Sequence, residues 1–182
     1  IYFMRLPAYQ HGRYIIPALP ILYWWGMIGF LEYVTSPKAH VRIVFLWQTL
    51  TVTLAVLFTL IAARQNAYDV YWIESEMVET AKWVQANIPP DAVLAVHDIG
   101  ALGYQVPNPI VDLAGLITPE VVPFIRDEVR LKLFLAETSS DYLIVFRSDY
   151  PNLTSGLSPV FVAGQTPGPV EFENDMHVYR LR

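Results

Sequence analysis

Two long uncharged stretches dominate the first third of the chain. Residues 14–31 and 43–63 contain no Asp, Glu, Lys or Arg over 18 and 21 positions. At about 1.5 Å of helical rise per residue, such stretches approach or match the roughly 30 Å hydrocarbon core of a bilayer. A segment in hydrocarbon must close its own backbone hydrogen bonds, so both are predicted to be membrane-spanning helices, at about 14–34 and 42–63. Pro17 and Pro20 fall early in the first, while Tyr23, Trp24 and Trp25 fall nearer its middle than the interface that such side chains prefer.

After Arg64 the pattern becomes amphipathic. Ile73, Met77, Ala81, Val84 and Ile88 recur at spacings of 4, 4, 3 and 4, predicting a helix over 69–88 with Glu74, Glu76, Glu79, Lys82 and Gln85 on its remaining faces. Pro89-Pro90 ends it. Short apolar runs at 92–97, 110–113 and 142–146 read as strands, and 119–135 reads as a helix interrupted near Asp127. Two further strands, at 160–165 and 177–181, flank Pro167-Gly168-Pro169 and are predicted to be antiparallel. The expected fold is two transmembrane α-helices followed by a small α/β domain with a mostly parallel sheet, divided into 1–64 and 65–182.

Composition sharpens that division. The chain is 54% hydrophobic and 16% charged, whereas soluble domains are nearer a quarter charged. Residues 1–64 carry Arg5, Arg13, Lys38, Arg42 and Arg64 against Glu32 alone, a balance of +4, and the rest of the chain carries −9. A domain so acidic lacks the basic surface that displaces counterions from nucleic acid, so no nucleic-acid partner is expected. With no cysteine, disulfides and thiol nucleophiles are excluded. The first residue is Ile1, and the opening residues lack a signal peptide's basic start, so the chain reads as an internal or C-terminal fragment. Lys38, His40 and Arg42 on one side and Arg5, Arg13 and Arg64 on the other leave the spans unoriented.

Three motifs carry candidate chemistry. His11-Gly12-Arg13-Tyr14 precedes the first span. Arg13 can clamp a phosphate with donors from His11 and Tyr14, or simply anchor the helix at the interface. His97-Asp98 lies at the carboxyl end of a predicted strand, where open α/β sheets bind ligands. No nucleophile elbow completes a triad there, and Asp98 as a helix N-cap is the simpler account. Asp112 after the next strand is a turn residue or a contact for a sugar hydroxyl or metal; no second carboxylate stands at ligand spacing, so no metal site is predicted. Gly100 and Gly103 lack the third glycine of a dinucleotide fingerprint, and Asn152-Leu153-Thr154 fits a glycosylation sequon.

The order "HGRYIIPALP", two spans, "AKWVQANIPPDAVLAVHDIGALGY" and "IVDLAGLITPEVVPFI" resembles the C-terminal end of bacterial GT-C type membrane glycosyltransferases, the group related to protein O-mannosyltransferases and lipid A aminoarabinose transferases. Residues 83–116 carry most of the resemblance. It implies a multi-pass cell-membrane enzyme with an extracytoplasmic soluble domain. That enzyme would move a sugar from a polyprenyl-phosphate donor to a glycan, lipid or protein acceptor by inverting displacement. The resemblance places the family's catalytic carboxylate upstream of this chain. No catalytic residue is therefore carried over, no cofactor is expected in the fragment, and His11, Arg13 and Tyr14 are the implied substrate contacts.

Overall fold

The computed structural model describes residues 18–37, 40–165 and 175–182. The chain divides into two compact units, Ile1–Ala62 and Ala63–Arg182. In the first, α1 runs from Leu19 to Thr35, with a proline in its opening turn, where no backbone donor is needed. It ends where the Ser36 N–H returns to the Tyr33 carbonyl at 3.1 Å. Its 17 residues give only about 26 Å of rise. The expectation of two spans is therefore corrected. Among the described residues one helix, the continuous run Val41–Asn87, is long and apolar enough to cross a membrane; its most apolar 18-residue window has mean hydropathy 2.0 and is unburied. A single candidate does not support a multi-pass protein, and it gives the following domain no side. The first part of the expected span at 14–34, including Pro17, lies outside the described residues, as does Lys38.

The second expected helix is present but does not stop near Arg64. α2 extends over Val41–Trp72 and passes through a π-helical turn, Ile73–Val78, into α3, Glu79–Asn87. No glycine or proline occurs between Val41 and Asn87, so nothing in the backbone breaks the hydrogen-bond ladder. It ends at Ile88, which precedes Pro89 and is extended (φ −111°, ψ 134°), as steric conflict with a following proline requires.

The second unit is a five-stranded sheet of β1 (Leu94–Val96), β2 (Ile110–Asp112), β3 (Tyr142–Phe146), β4 (Pro159–Val162) and β5 (Met176–Arg180), in the order β2-β1-β3-β5-β4. Parallel pairing joins β1 to β2 and β3, whereas β5 is antiparallel to both β3 and β4. The sheet is mixed, which corrects the expectation of a mostly parallel one. Parallel neighbours need a long crossover. α4 (Ile99–Gln105) lies between β1 and β2, and α5 (Glu128–Glu137) before β3, but no helix is found among the described residues after β3. Pro159 lies on edge strand β4 beside a register shift, where a missing N–H is tolerated.

Alternation along the strands builds two cores. Leu94, Val96, Ile144 and Phe146 face Ala81 and Val84 of α3 and Leu102 of α4. Ala95, Leu143 and Val145 face Val121 and Leu131, which lie in a 3₁₀ turn, Pro119–Phe124, and in α5. The break expected near Asp127 is real: its carboxylate caps α5 by accepting from the Val129 and Arg130 N–H groups at 3.2 and 3.1 Å. Trp72 stacks on Phe146 with ring centroids 5.5 Å apart, so the incoming helix meets the carboxyl end of β3.

Side chains close the short strands' loops. The buried Asn108 amide donates to the Pro89 carbonyl at 2.7 Å and the Ala92 carbonyl at 3.1 Å, fastening the double-proline turn to the approach to β2. Asp141 accepts from the Val93 N–H at 2.8 Å and Arg182 Nε at 2.7 Å, and these bonds hold its carboxyl below the usual range. Asn108→Ala removes a donor from both carbonyls, leaving that of Pro89 only the Ala92 N–H, and is expected to destabilise the folded chain by about 1–3 kcal/mol. Denaturant titration against an exposed control, Val129→Ala, checks this.

Candidate functional site

The carboxyl ends of β1, β2 and β3 bring together a cluster of polar groups. β1 delivers His97 and Asp98, β2 delivers Asp112, and the turn after β3 delivers Asp149 and Tyr150. The Tyr150 hydroxyl lies 2.7 Å from His97 Nδ1. Burial, reinforced by Asp149, Asp98, Asp112 and Glu128, pushes the Tyr150 phenol far above its ordinary value. It therefore keeps its proton, which is available for donation to Nδ1. Thr154 Oγ1 in turn donates to the Tyr150 carbonyl at 2.8 Å.

Asp98 occupies the N-cap position of α4 but makes no capping hydrogen bond, which corrects the simpler account of it. Burial raises its carboxyl pKa, His97 opposes the rise, and Asp149 and Asp112 add to it. Asp112 is fully buried, and both its oxygens serve the backbone. Oδ1 accepts from the Ala114 N–H at 2.8 Å, and Oδ2 from Leu116 and, at 2.9 Å, from Ile117. The Asp112 N–H donates to Thr118 Oγ1 at 2.9 Å. Gly115 closes this loop at φ +76°, where a Cβ would sit 2.7 Å from Val122 Cγ2; the close approach is to Val122. The loop so fixed turns Leu116 and Ile117 outward, 75% and 58% exposed.

The other motifs separate. His11, Arg13 and Tyr14 lie outside the described residues. Gly100 and Gly103 are inside α4, a helix too short to cradle a phosphate. Asn152 of the sequon donates to Glu128 Oε1 at 2.9 Å, and Thr154 is buried. Among the described residues no three His, Asp or Glu side chains gather so as to hold a metal ion. Sequence reasoning missed Tyr150, which stands 53 positions from His97; its one signal is its place just beyond a buried strand. It also missed Glu76, set on a polar face by the helical spacing but fully buried.

The sequence model of one protein family, described as a domain of unknown function (DUF8728), matches residues 61–179. No curated protein and no solved structure matches the chain.

Asp112→Asn replaces an acceptor oxygen by a donor facing backbone N–H groups. It is expected to cost about 2–4 kcal/mol and to speed amide exchange at Leu116 and Ile117, read by NMR. Tyr150→Phe, which removes one neutral bond, is expected to cost about 1 kcal/mol and to leave those two amides unchanged.

Proposed function

The chain belongs to this family, and we propose that it is a membrane-anchored, non-catalytic α/β module that binds or assists a partner. The observation that carries this reading is the loop after β2. A fully buried carboxylate is committed to three backbone N–H groups, and the loop it fixes holds two apolar side chains in solvent. Such rigid apolar display favours association because little freedom is lost on binding. His97 is likewise tied to a buried phenol, so the polar groups at the strand ends act as scaffold. The apolar helix supports the anchor, with the lipid bilayer as its partner.

A second reading, a piece of a membrane glycosyltransferase using a polyprenyl-phosphate sugar donor, is favoured by the resemblance over residues 83–116 alone. In that reading Arg13, with His11 and Tyr14, contacts the donor phosphate.

Two measurements test the proposal. In alkaline carbonate extraction the full chain is expected to stay with the membranes, and Leu54→Arg to weaken its retention, since an arginine at mid-span costs about 3 kcal/mol. A photocrosslinker at Leu116 is expected to give a discrete adduct that one at Tyr104, 91% exposed on α4, does not. Release of the wild-type chain by carbonate, or equal labelling at both positions, contradicts the module. Sugar transfer by the full-length protein, lost in Arg13→Ala, establishes the second reading instead.

A further inference from the structure

Glu76 sits in the π-helical turn, fully buried, 100 positions from the residue that its side chain holds. Its Oε2 accepts from the Met176 N–H, the first residue of β5, at 2.8 Å. Among the described residues its Oε1 has no hydrogen-bond partner, nor has the buried Thr80 Oγ1, one turn further along the same helical run. A Cβ at Gly164, where φ is +69°, would collide with Oε1, so the space beside that oxygen exists only because residue 164 has no side chain.

The surroundings are hostile to an anion. Burial is the chief cause raising the Glu76 pKa; the Met176 N–H opposes it, and Asp175 and Glu79 add to it. Asp175 leads into β5 and accepts from Gln165 at 3.3 Å, while Glu79 stands on α3. α4, which also packs against the turn, carries Tyr104 as its one ionisable side chain, and that is exposed. His177 on β5 is bonded to the Tyr179 hydroxyl at 2.9 Å. A carboxyl with a proton on Oε1 fits this site: Oε2 remains a carbonyl acceptor for Met176, and Oε1 becomes a donor. An ionised one leaves a charged oxygen unmet in the interior, which is far more costly than an unmet neutral group.

We propose that this joint is a proton-operated clasp: with a proton on Glu76 the π-turn is fastened to the start of β5, and loss of that proton to solvent loosens it. The direction follows from linkage. The folded state binds the proton more tightly than the unfolded chain, so the clasp's contribution is complete below the ordinary carboxylate range and is lost as pH rises through the raised, folded value.

The test uses the full chain in lipid nanodiscs, titrated from about pH 4 to about pH 8, with ¹³C-carboxyl NMR of Glu76 and hydrogen exchange of Met176 and residues 73–80, corrected for intrinsic rate. The wild-type Glu76 carboxyl is expected to titrate above the ordinary range, with several-fold faster opening of the Met176 amide as it does so. Glu76→Gln, neutral throughout, is expected to keep that amide protected at every pH. Asp175→Asn removes a neighbouring charge and is expected to move the wild-type midpoint downward. It keeps the question decidable by NMR even where Glu76→Gln fails to fold. An ordinary Glu76 titration, a Met176 exchange profile identical in Glu76→Gln, or a midpoint indifferent to Asp175→Asn each overturns the proposal.

Discussion

Backbone donors and acceptors that are buried need partners, and that constraint shapes the second unit more than any single contact. β1 and β2 have three residues each. A sheet of such short parallel strands places its loops against the core almost at once, where ladder bonds cannot reach them. Side chains take over: Asn108 for the carbonyls of Pro89 and Ala92, Asp141 for the Val93 N–H, Asp112 for the loop after β2, and Glu128 for the Leu153 N–H. The domain's acidity thus has an internal reason beside any external one. Several carboxylates are acceptors that the fold needs, and charge-assisted acceptance is stronger than a neutral bond.

The same constraint explains why the strand ends look like a reactive centre and are organised as a frame. Carboxylates, a histidine and a tyrosine converge there, as they do in many α/β enzymes. Their geometry runs inward: Asp112 toward its own loop and Tyr150 onto His97. What the frame turns outward is apolar, Leu116 and Ile117. In the module proposed above, that outward apolar face is the part a partner meets.

Much of the domain was legible in the sequence because local signals agreed. β3 occupies 142–146, where five apolar residues leave little alternative, and Asp127 marks the start of α5 as a capping residue should. The tail's two strands pair antiparallel, as their pattern suggested, but their place in the sheet beside β3 was not legible. Charge runs misled at Arg64, because a charged side chain says where the apolar window ends and nothing about where a helix ends. α1 misled in the opposite way: its apolar composition invited a full span, while its described length falls short. The His97–Tyr150 pair was invisible because contact across 53 positions depends on strand order, which periodicity does not encode.

Glu76 was misplaced for a more specific reason, and it joins the helix to the sheet. At 3.6 residues per turn, Glu76 and Ala81 fall on nearly opposite faces, so the spacing assigns Glu76 to solvent. In a π-turn the hydrogen bond closes on the fifth residue, so the Ile73–Val78 turn shifts its side chains out of the register that regular α spacing assigns. The inserted turn thus carries a carboxylate into the core that holds Ala81 and Met176. A π-turn is less stable than regular helix and persists where tertiary contacts hold it. Here that contact is the Glu76 bond to the first amide of β5, and the positive-φ glycine at 164 leaves room for it. The seat of the helix on the sheet and the proposed proton clasp therefore meet at one buried carboxyl.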